Sequence, residues 1–207
     1  MIKNIIFDLG GVLVGLNRSA CIEAFTKIGF PGFDQILNEY LQGGFFLEYE
    51  KGEISTDEFR DIIRSYIDPE IRESITDLQI YQAMGSFLDI IPQYKLDLII
   101  SLKKSYRIFM LSNSNPIAID VVRPYFERDG LVLEDYFDKL YLSYQMKMAK
   151  PDPEIFKSLL SDSGIKAEET LFIDDSPANI ATAANLGFET ILFIPGENLN
   201  NAIKRVL

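Results

Sequence analysis

"IIFDLGGVLV", residues 5–14, decides the fold. Its first three residues are apolar enough for a buried strand, and a single carboxylate, Asp8, follows them. A carboxylate carried into a core is costly unless it is paired, hydrogen-bonded or metal-bound. Gly10 and Gly11 come next, and glycine lets a chain turn tightly out of a strand and approach a ligand closely. The stretch therefore predicts a strand over Ile2–Phe7 that delivers Asp8 to a polar partner at its carboxyl end.

After this strand the apolar pattern becomes helical. Ala20, Cys21, Ala24, Phe25 and Ile28 share one face; Phe59, Ile62, Ile63, Tyr66 and Ile67 share another, entered through a Ser55–Glu58 capping box. Helical spacing runs to about Leu88. From residue 91 helices and short apolar strands alternate: a helix near Gln93–Lys104, strand Ile108–Leu111, a helix after Pro116 and a strand at Lys139–Leu142. A helix with Ile155, Phe156, Leu159 and Leu160 on one face precedes strand Thr170–Ile173. A helix with Ile180, Ala183, Ala184 and Gly187 precedes strand Thr190–Ile194, and a last helix closes the chain. Strands alternating with helices of this length imply parallel β-α-β units. The expected organisation is an α/β core from residues 1–14 and 91–207, with a helical insertion over residues 15–90.

Composition narrows the partners. A net charge of −11 over 207 residues repels nucleic acid and anionic membranes as a whole. No stretch approaches the ~20 apolar residues of a membrane helix. The apolar N-terminus has only Lys3 before it, contains Asp8 and lacks a convincing cleavage site, so it reads as strand rather than signal peptide. The lone cysteine, Cys21, has no intramolecular partner and suits a reducing cytoplasm; its helical spacing with Ala24 and Phe25 reads as core. With no histidine in the chain, a Ser-His triad is excluded and a structural zinc site is disfavoured.

Open α/β sheets bind ligands at the carboxyl ends of their strands, and four strands here are followed by polar groups: Asp8; Ser112-Asn113; Lys150; Asp174-Asp175. Asn115-Pro116, Asp152-Pro153 and Ser176-Pro177 mark helix entries beside them. Taken singly, each has a bland reading as a cap, a turn or a solvated lysine. Together, in this order, they describe a site. Asp8, Asp174 and Asp175 place too much negative charge in one pocket without a cation, and hard oxygen ligands with an incomplete shell suit Mg²⁺. Lys150 and Ser112 suit a phosphoryl group, and a carboxylate beside both can act as its acceptor.

The segments "FDLGGVL", "LSNSN", "KMAKPDPEIF" and "FIDDSPAN" together resemble the four motifs of the haloacid dehalogenase-like superfamily, over nearly the whole chain. The resemblance implies a Rossmann-like sheet of order 3-2-1-4-5 with a helical cap inserted after strand one. It implies Asp8 as nucleophile and Mg²⁺ ligand, and Ser112 with the Asn113 backbone as phosphate-binding groups. It makes Lys150 the charge-balancing residue, Asp175 a direct metal ligand, Asp174 a near or water-bridged one, and Asn179 a supporting group. The cap stretch "FFLEYEKGEISTDEFRDII" is similar to the branch of sugar-phosphate phosphatases and of the N-terminal phosphatase domains of epoxide hydrolases.

One position departs from the pattern. Phosphatases of this superfamily usually carry an aspartate two residues after the nucleophile as general acid and base. Here it is Gly10, which offers the metal only a backbone carbonyl. General acid–base help is worth about 10²–10⁴-fold. The expected function is a Mg²⁺-dependent phosphatase for a small phosphorylated metabolite, with a sugar 1-phosphate favoured because its leaving oxygen needs less protonation. A 2-haloacid dehalogenase also lacks that acid but leaves Asp174-Asp175 unexplained, and a catalytically weak relative acting as a binding protein is the non-enzyme alternative. A phospho-acceptor receiver domain places its acidic pair after strand one and does not fit. In the cap, Tyr40, Glu48, Tyr49 and Glu50 are candidates for facing the site.

Overall fold

The computed structural model describes residues 1–37 and 44–207. Its centre is a five-stranded parallel sheet of β1 (Asn4–Phe7), β2 (Arg107–Ser112), β3 (Lys139–Leu142), β4 (Thr170–Asp174) and β5 (Glu189–Leu192), in the order β3-β2-β1-β4-β5. Period-2 side-chain alternation sorts the strands between two cores. Ile5, Phe7, Ile108, Met110, Leu171 and Ile173 point to one face, and Ile6, Phe109, Leu111 and Phe172 to the other. With both faces covered, the strands read as nearly unbroken apolar runs, as parallel sheets do.

Helices α1 (Arg18–Lys27), α2 (Phe33–Ile36), α3 (Gly44–Glu50), α4 (Thr56–Ser65), α5 (Pro69–Arg72) and α6 (Asp77–Gly85) lie between β1 and α7 (Gln93–Leu102). They bury a core of their own. Phe25 stacks on Phe33 at 3.8 Å and Tyr49 on Phe59 at 4.3 Å, with Cys21, Ile63, Ile67 and Ile80 filling around them. Ile117 of α8 (Pro116–Val122) closes this core from the sheet side. After β3 come α9 (Ser143–Met146) and α10 (Pro153–Ser163), and α11 (Pro177–Asn185) and α12 (Leu199–Ile203) flank β5. The helices α7, α8 and α12 cover the first face of the sheet, and α10 and α11 the second.

Several expectations change in detail. Strand β1 begins at Asn4 rather than Ile2; the turn expected after it is present, with the N–H groups of Leu13 and Val14 both donating to the Leu9 carbonyl. Strand β5 stops at Leu192, short of Ile194. Tyr66 and Ala184 are exposed, so the apolar faces of α4 and α11 are narrower than the periodicity implied. Asn115 and Asp152 cap α8 and α10 as expected. Ser176 does not cap α11 through its side chain; its N–H is instead bound by Asp174 Oδ1 at 2.8 Å.

The two segments linking the helical layer to the sheet run side by side. Asn17 N–H donates to Phe87 O at 2.7 Å and Asp89 N–H to Gly15 O at 2.9 Å, around an antiparallel bridge between Leu16 and Leu88. The Ser55–Glu58 capping box is complete. Replacing Ser55 with alanine removes one partner of the box and is expected to lower stability by about 1 kcal/mol in urea unfolding; an unchanged midpoint would show that α4 does not depend on its cap.

Candidate active site

The order β3-β2-β1-β4-β5 puts its topological switch between β1 and β4, and the crevice outside the strand ends there is where such sheets bind ligands. Asp8 stands one residue past β1, its N–H donating to Ile173 O of β4 at 2.9 Å. Lys150, buried on the loop after α9, reaches in from the other side of β2. Its Nζ lies 2.8 Å from Asp8 Oδ1, 2.6 Å from Asp174 Oδ2 and 2.9 Å from the Leu111 carbonyl oxygen. An ammonium has three protons, and here each faces an acceptor at a different strand end.

The loop carrying Lys150 is held by Asn113. Its Nδ2 donates to Lys150 O and its Oδ1 accepts from Lys150 N, both at 2.8 Å. The Asn113 side chain thus has a structural task separate from the backbone role that the motif resemblance implies. Ser112 ends β2 and is buried. Asn179, on the first turns of α11, donates to both Asp174 oxygens at 3.0 and 3.1 Å. Asp174 therefore has both oxygens engaged, by Lys150, Asn179 and Ser176 N–H. Asp175 is half-buried beside it.

The glycines differ from each other. Gly11 has φ +73°, and a Cβ placed there would fall 1.9 Å from Asp175 Oδ2. Any side chain at 11 would displace Asp175. Gly10 is not in the left-handed region, and a Cβ there would meet only Leu16 Cδ2 at 3.5 Å. The backbone does not require glycine at 10.

One oxygen each from Asp8, Asp174 and Asp175 lies within 4.8 Å of the others, a donor set and spacing that fit a hard divalent cation. The electrostatics point the same way. Burial pushes the Asp8 carboxyl up to about 7; Lys150 opposes this, and the charges of Asp174 and Asp175 add to it. Burial and then Asp174 raise Asp175. Burial disfavours the Lys150 ammonium, but Asp174 and Asp8 outweigh it and hold its pKa above the usual value. One ammonium thus stands beside a cluster of three carboxylates, two of which it touches, and a cation would relieve the excess.

Of the cap candidates, Glu48 is exposed, Tyr49 is buried with its hydroxyl 2.9 Å from Thr56 Oγ1, and Tyr40 lies outside the described residues. Glu50 is buried. Its carboxyl is pushed up to about 8, first by burial, then by the Asp8 charge, with Lys150 opposing. Two further residues were not singled out from the sequence. The Ser143 hydroxyl accepts from Ser114 N–H at 2.9 Å and donates to Glu50 O at 2.6 Å, joining the end of α3 to the loop after β2. The Lys95 ammonium, lodged over the Phe193 ring, binds the carbonyls of Val12 and Leu13 and so anchors the turn after Asp8. A lysine beside Leu96 on the apolar face of α7 was the available signal for Lys95; an ordinary serine gave none for Ser143.

The sequence profile of haloacid dehalogenase-like hydrolases matches residues 2–187. The chain belongs to this family. A D-ribitol-5-phosphate phosphatase of Bacteroides thetaiotaomicron is 44% identical to this haloacid dehalogenase-like hydrolase over 191 residues, 92% of the chain and 91% of the relative. A glyceraldehyde 3-phosphate phosphatase of Pyrococcus furiosus is 27% identical over 207 residues, 95% of the chain and 82% of the relative. A crystal structure of a family enzyme from Bacteroides thetaiotaomicron, in complex with magnesium and inorganic phosphate, superposes with a TM-score of 0.91 at 46% identity, covering 97% of this chain and 98% of that one.

The glycine geometry gives a paired prediction. Gly10→Ala should fold with nearly unchanged stability. Gly11→Ala, strained and in collision with Asp175, should lose more than about 1 kcal/mol. Thermal unfolding of both variants checks this; equal losses would show that the turn adjusts around either methyl group.

Proposed function

We propose that this hydrolase is a Mg²⁺-dependent phosphatase that cleaves the phosphate from a small phosphorylated polyol or sugar through an aspartyl-phosphate on Asp8. The observation that carries this reading is the three-acceptor seat of Lys150 beside a cluster of three carboxylates. The ammonium fixes one oxygen of Asp8, which leaves the other to attack phosphorus. Ser112 and the backbone at Asn113, one strand over, are the donors for the phosphoryl oxygens. Asp8, Asp175 and the Gly10 carbonyl would hold the metal, with Asp174 adjacent and positioned by Asn179. When bound, Mg²⁺ would offset the charge of nucleophile and phosphate as they approach. Residues 15–90 act in this reading as a cap over a core of residues 1–14 and 91–207, with the paired linkers as the joint. Among the described residues no helix is long and apolar enough to cross a membrane. A buried, reduced Cys21 supports work in the cytoplasm.

The dehalogenase alternative leaves the carboxylate cluster without a purpose, because that chemistry needs no metal. On substrate, two considerations pull apart. The missing acid at position 10 favours a sugar 1-phosphate, whose leaving oxygen is less basic. The named activities of the relatives, on ribitol 5-phosphate and glyceraldehyde 3-phosphate, favour a phosphate on an ordinary primary alcohol. We take the second as the leading reading, since 44% identity extends over almost the whole chain, cap included.

A phosphate-release panel decides between them. Pentitol 5-phosphates, sugar 6-phosphates and sugar 1-phosphates should be compared with Mg²⁺ and with chelator. Terminal alcohol phosphates should be turned over with Mg²⁺ and not without it; a consistent preference for 1-phosphates would overturn the leading reading and support the other.

Two substitutions test the site. Asp8→Asn should abolish detectable turnover, because an amide does not attack phosphorus; retained activity would end the aspartyl-phosphate mechanism. Asp175→Ala should weaken Mg²⁺ binding more than Asp174→Ala in metal titration. Asp174→Ala should cost more in thermal stability, because it removes a carboxylate from the buried Lys150.

A further inference from the structure

We propose that Glu50, carried by the cap, is the general acid and base that position 10 does not supply. This rests on the phosphatase reading and deepens it. The reaction needs a proton donor near the scissile oxygen when the leaving group is an ordinary alcohol, and the chain has no histidine. Among the described residues around Asp8, three ionisable groups already have other tasks. Lys150 has all three protons directed at Asp8, Asp174 and Leu111 O. Asp174 has both oxygens bound. Asp175 lies against Gly11, in the cluster that fits a cation.

Glu50 differs in position. It ends α3, so it approaches from the cap and not from the sheet, the side from which a leaving group must depart. It is buried, yet close enough to Asp8 and Lys150 for both charges to act on its carboxyl. Its backbone is tied to the strand ends by the Ser143 hydroxyl, which bridges Glu50 O and Ser114 N–H. Directly after it the chain is locked again. Gly52, at φ +61°, packs so closely on Tyr144 that a Cβ would lie 2.4 Å from its carbonyl oxygen, and the Lys147 ammonium binds Gly52 O. The backbone that carries this carboxyl is thus held at Glu50 and again at Gly52 to the segment between β3 and Lys150. Burial, the largest influence on this carboxyl, raises it above the ordinary glutamate range, toward the protonated state an acid needs at the start of the cycle.

The chemistry closes on itself. As an Asp8 oxygen bonds to phosphorus, the bond from phosphorus to the ester oxygen breaks. Its electron pair stays on that oxygen, which takes the Glu50 proton and leaves as alcohol. In the second half Glu50, now a carboxylate, removes a proton from water while the water oxygen attacks phosphorus. The bond to Asp8 breaks, phosphate departs, and Asp8 and Glu50 return to their starting states.

The test compares the wild-type enzyme with Glu50→Gln on two substrates, D-ribitol 5-phosphate and p-nitrophenyl phosphate. The second has a leaving group that needs no protonation. With ribitol 5-phosphate the variant should lose about 10²–10⁴-fold in kcat, with no burst of alcohol. With p-nitrophenyl phosphate it should release one equivalent of p-nitrophenolate per enzyme in a rapid burst and then turn over slowly, because the first step no longer needs Glu50 and the second still does. Equal losses on both substrates without a burst would assign Glu50 a structural role and overturn the proposal. So would wild-type kcat on ribitol 5-phosphate, or a change confined to KM. Failure of the phosphatase reading looks different: the wild-type enzyme would release phosphate from neither substrate.

Discussion

Everything at the strand ends is organised around one buried ammonium. Lys150 reaches the carboxylates after β1 and at the end of β4, and a backbone carbonyl of β2, so a single charge ties together three neighbouring strands at the level where the sheet opens. A buried cation is tolerated only when its protons are matched, and a buried carboxylate only when it is countered. Each member therefore fixes the others. Asp174, bound also by Asn179 and Ser176 N–H, is the rigid wall; Asp8 is held at one oxygen and left with another. The Asn113 amide, clamped to the backbone of Lys150 on both sides, keeps the lysine from swinging away. The cluster still carries more negative than positive charge, which makes it a receptor for a cation.

The sheet and the polar groups gathered at its strand ends were largely legible in the sequence, for a physical reason. Strands buried on both faces must be continuously apolar, so a polar residue at their ends stands out, and Asp8, Ser112, Lys150 and Asp174-Asp175 each do so. The order of helices and strands then places those ends on one edge of the sheet. What was not legible depends on proximity between segments far apart in the chain. Ser143 is an unremarkable serine until α3 and the loop after β2 converge on its hydroxyl. Lys95 stood on an apolar helix face, but its partners, two carbonyls of the turn after Asp8, are invisible in one dimension. Glu50 was a candidate among four cap residues, and only the packing of α3 on α9 separates it from the exposed Glu48.

Two adjacent glycines illustrate the same boundary. From sequence they offer one explanation, freedom to turn. In space they part: Gly11 needs its positive φ and has a carboxylate against its α-carbon, whereas Gly10 meets only the end of a leucine side chain. Position 10 thus has room for a Cβ, and the absence of an acid there is not a consequence of backbone geometry. A proton donor contributed by another segment, as proposed for Glu50, would make the reaction depend on where that segment sits, and the helical layer would then take part in the chemistry.

The pairing of the two linkers has a consequence for how the chain can be built. Because Asn17 and Phe87 are hydrogen-bonded neighbours, the sheet meets the whole helical layer as a closed loop of about 70 residues whose ends already touch. Closing such a loop costs entropy only as the logarithm of its length. Enlarging it by a quarter would add about 0.2 kcal/mol, less than one weak hydrogen bond. The Rossmann-like core is therefore nearly indifferent to the size of what is inserted at that point, while the short turn between Asp8 and Val14, braced by Lys95 and pressed against Asp175, has no such latitude. Length variation in this molecule is cheap on one side of the linker pair and prohibited on the other.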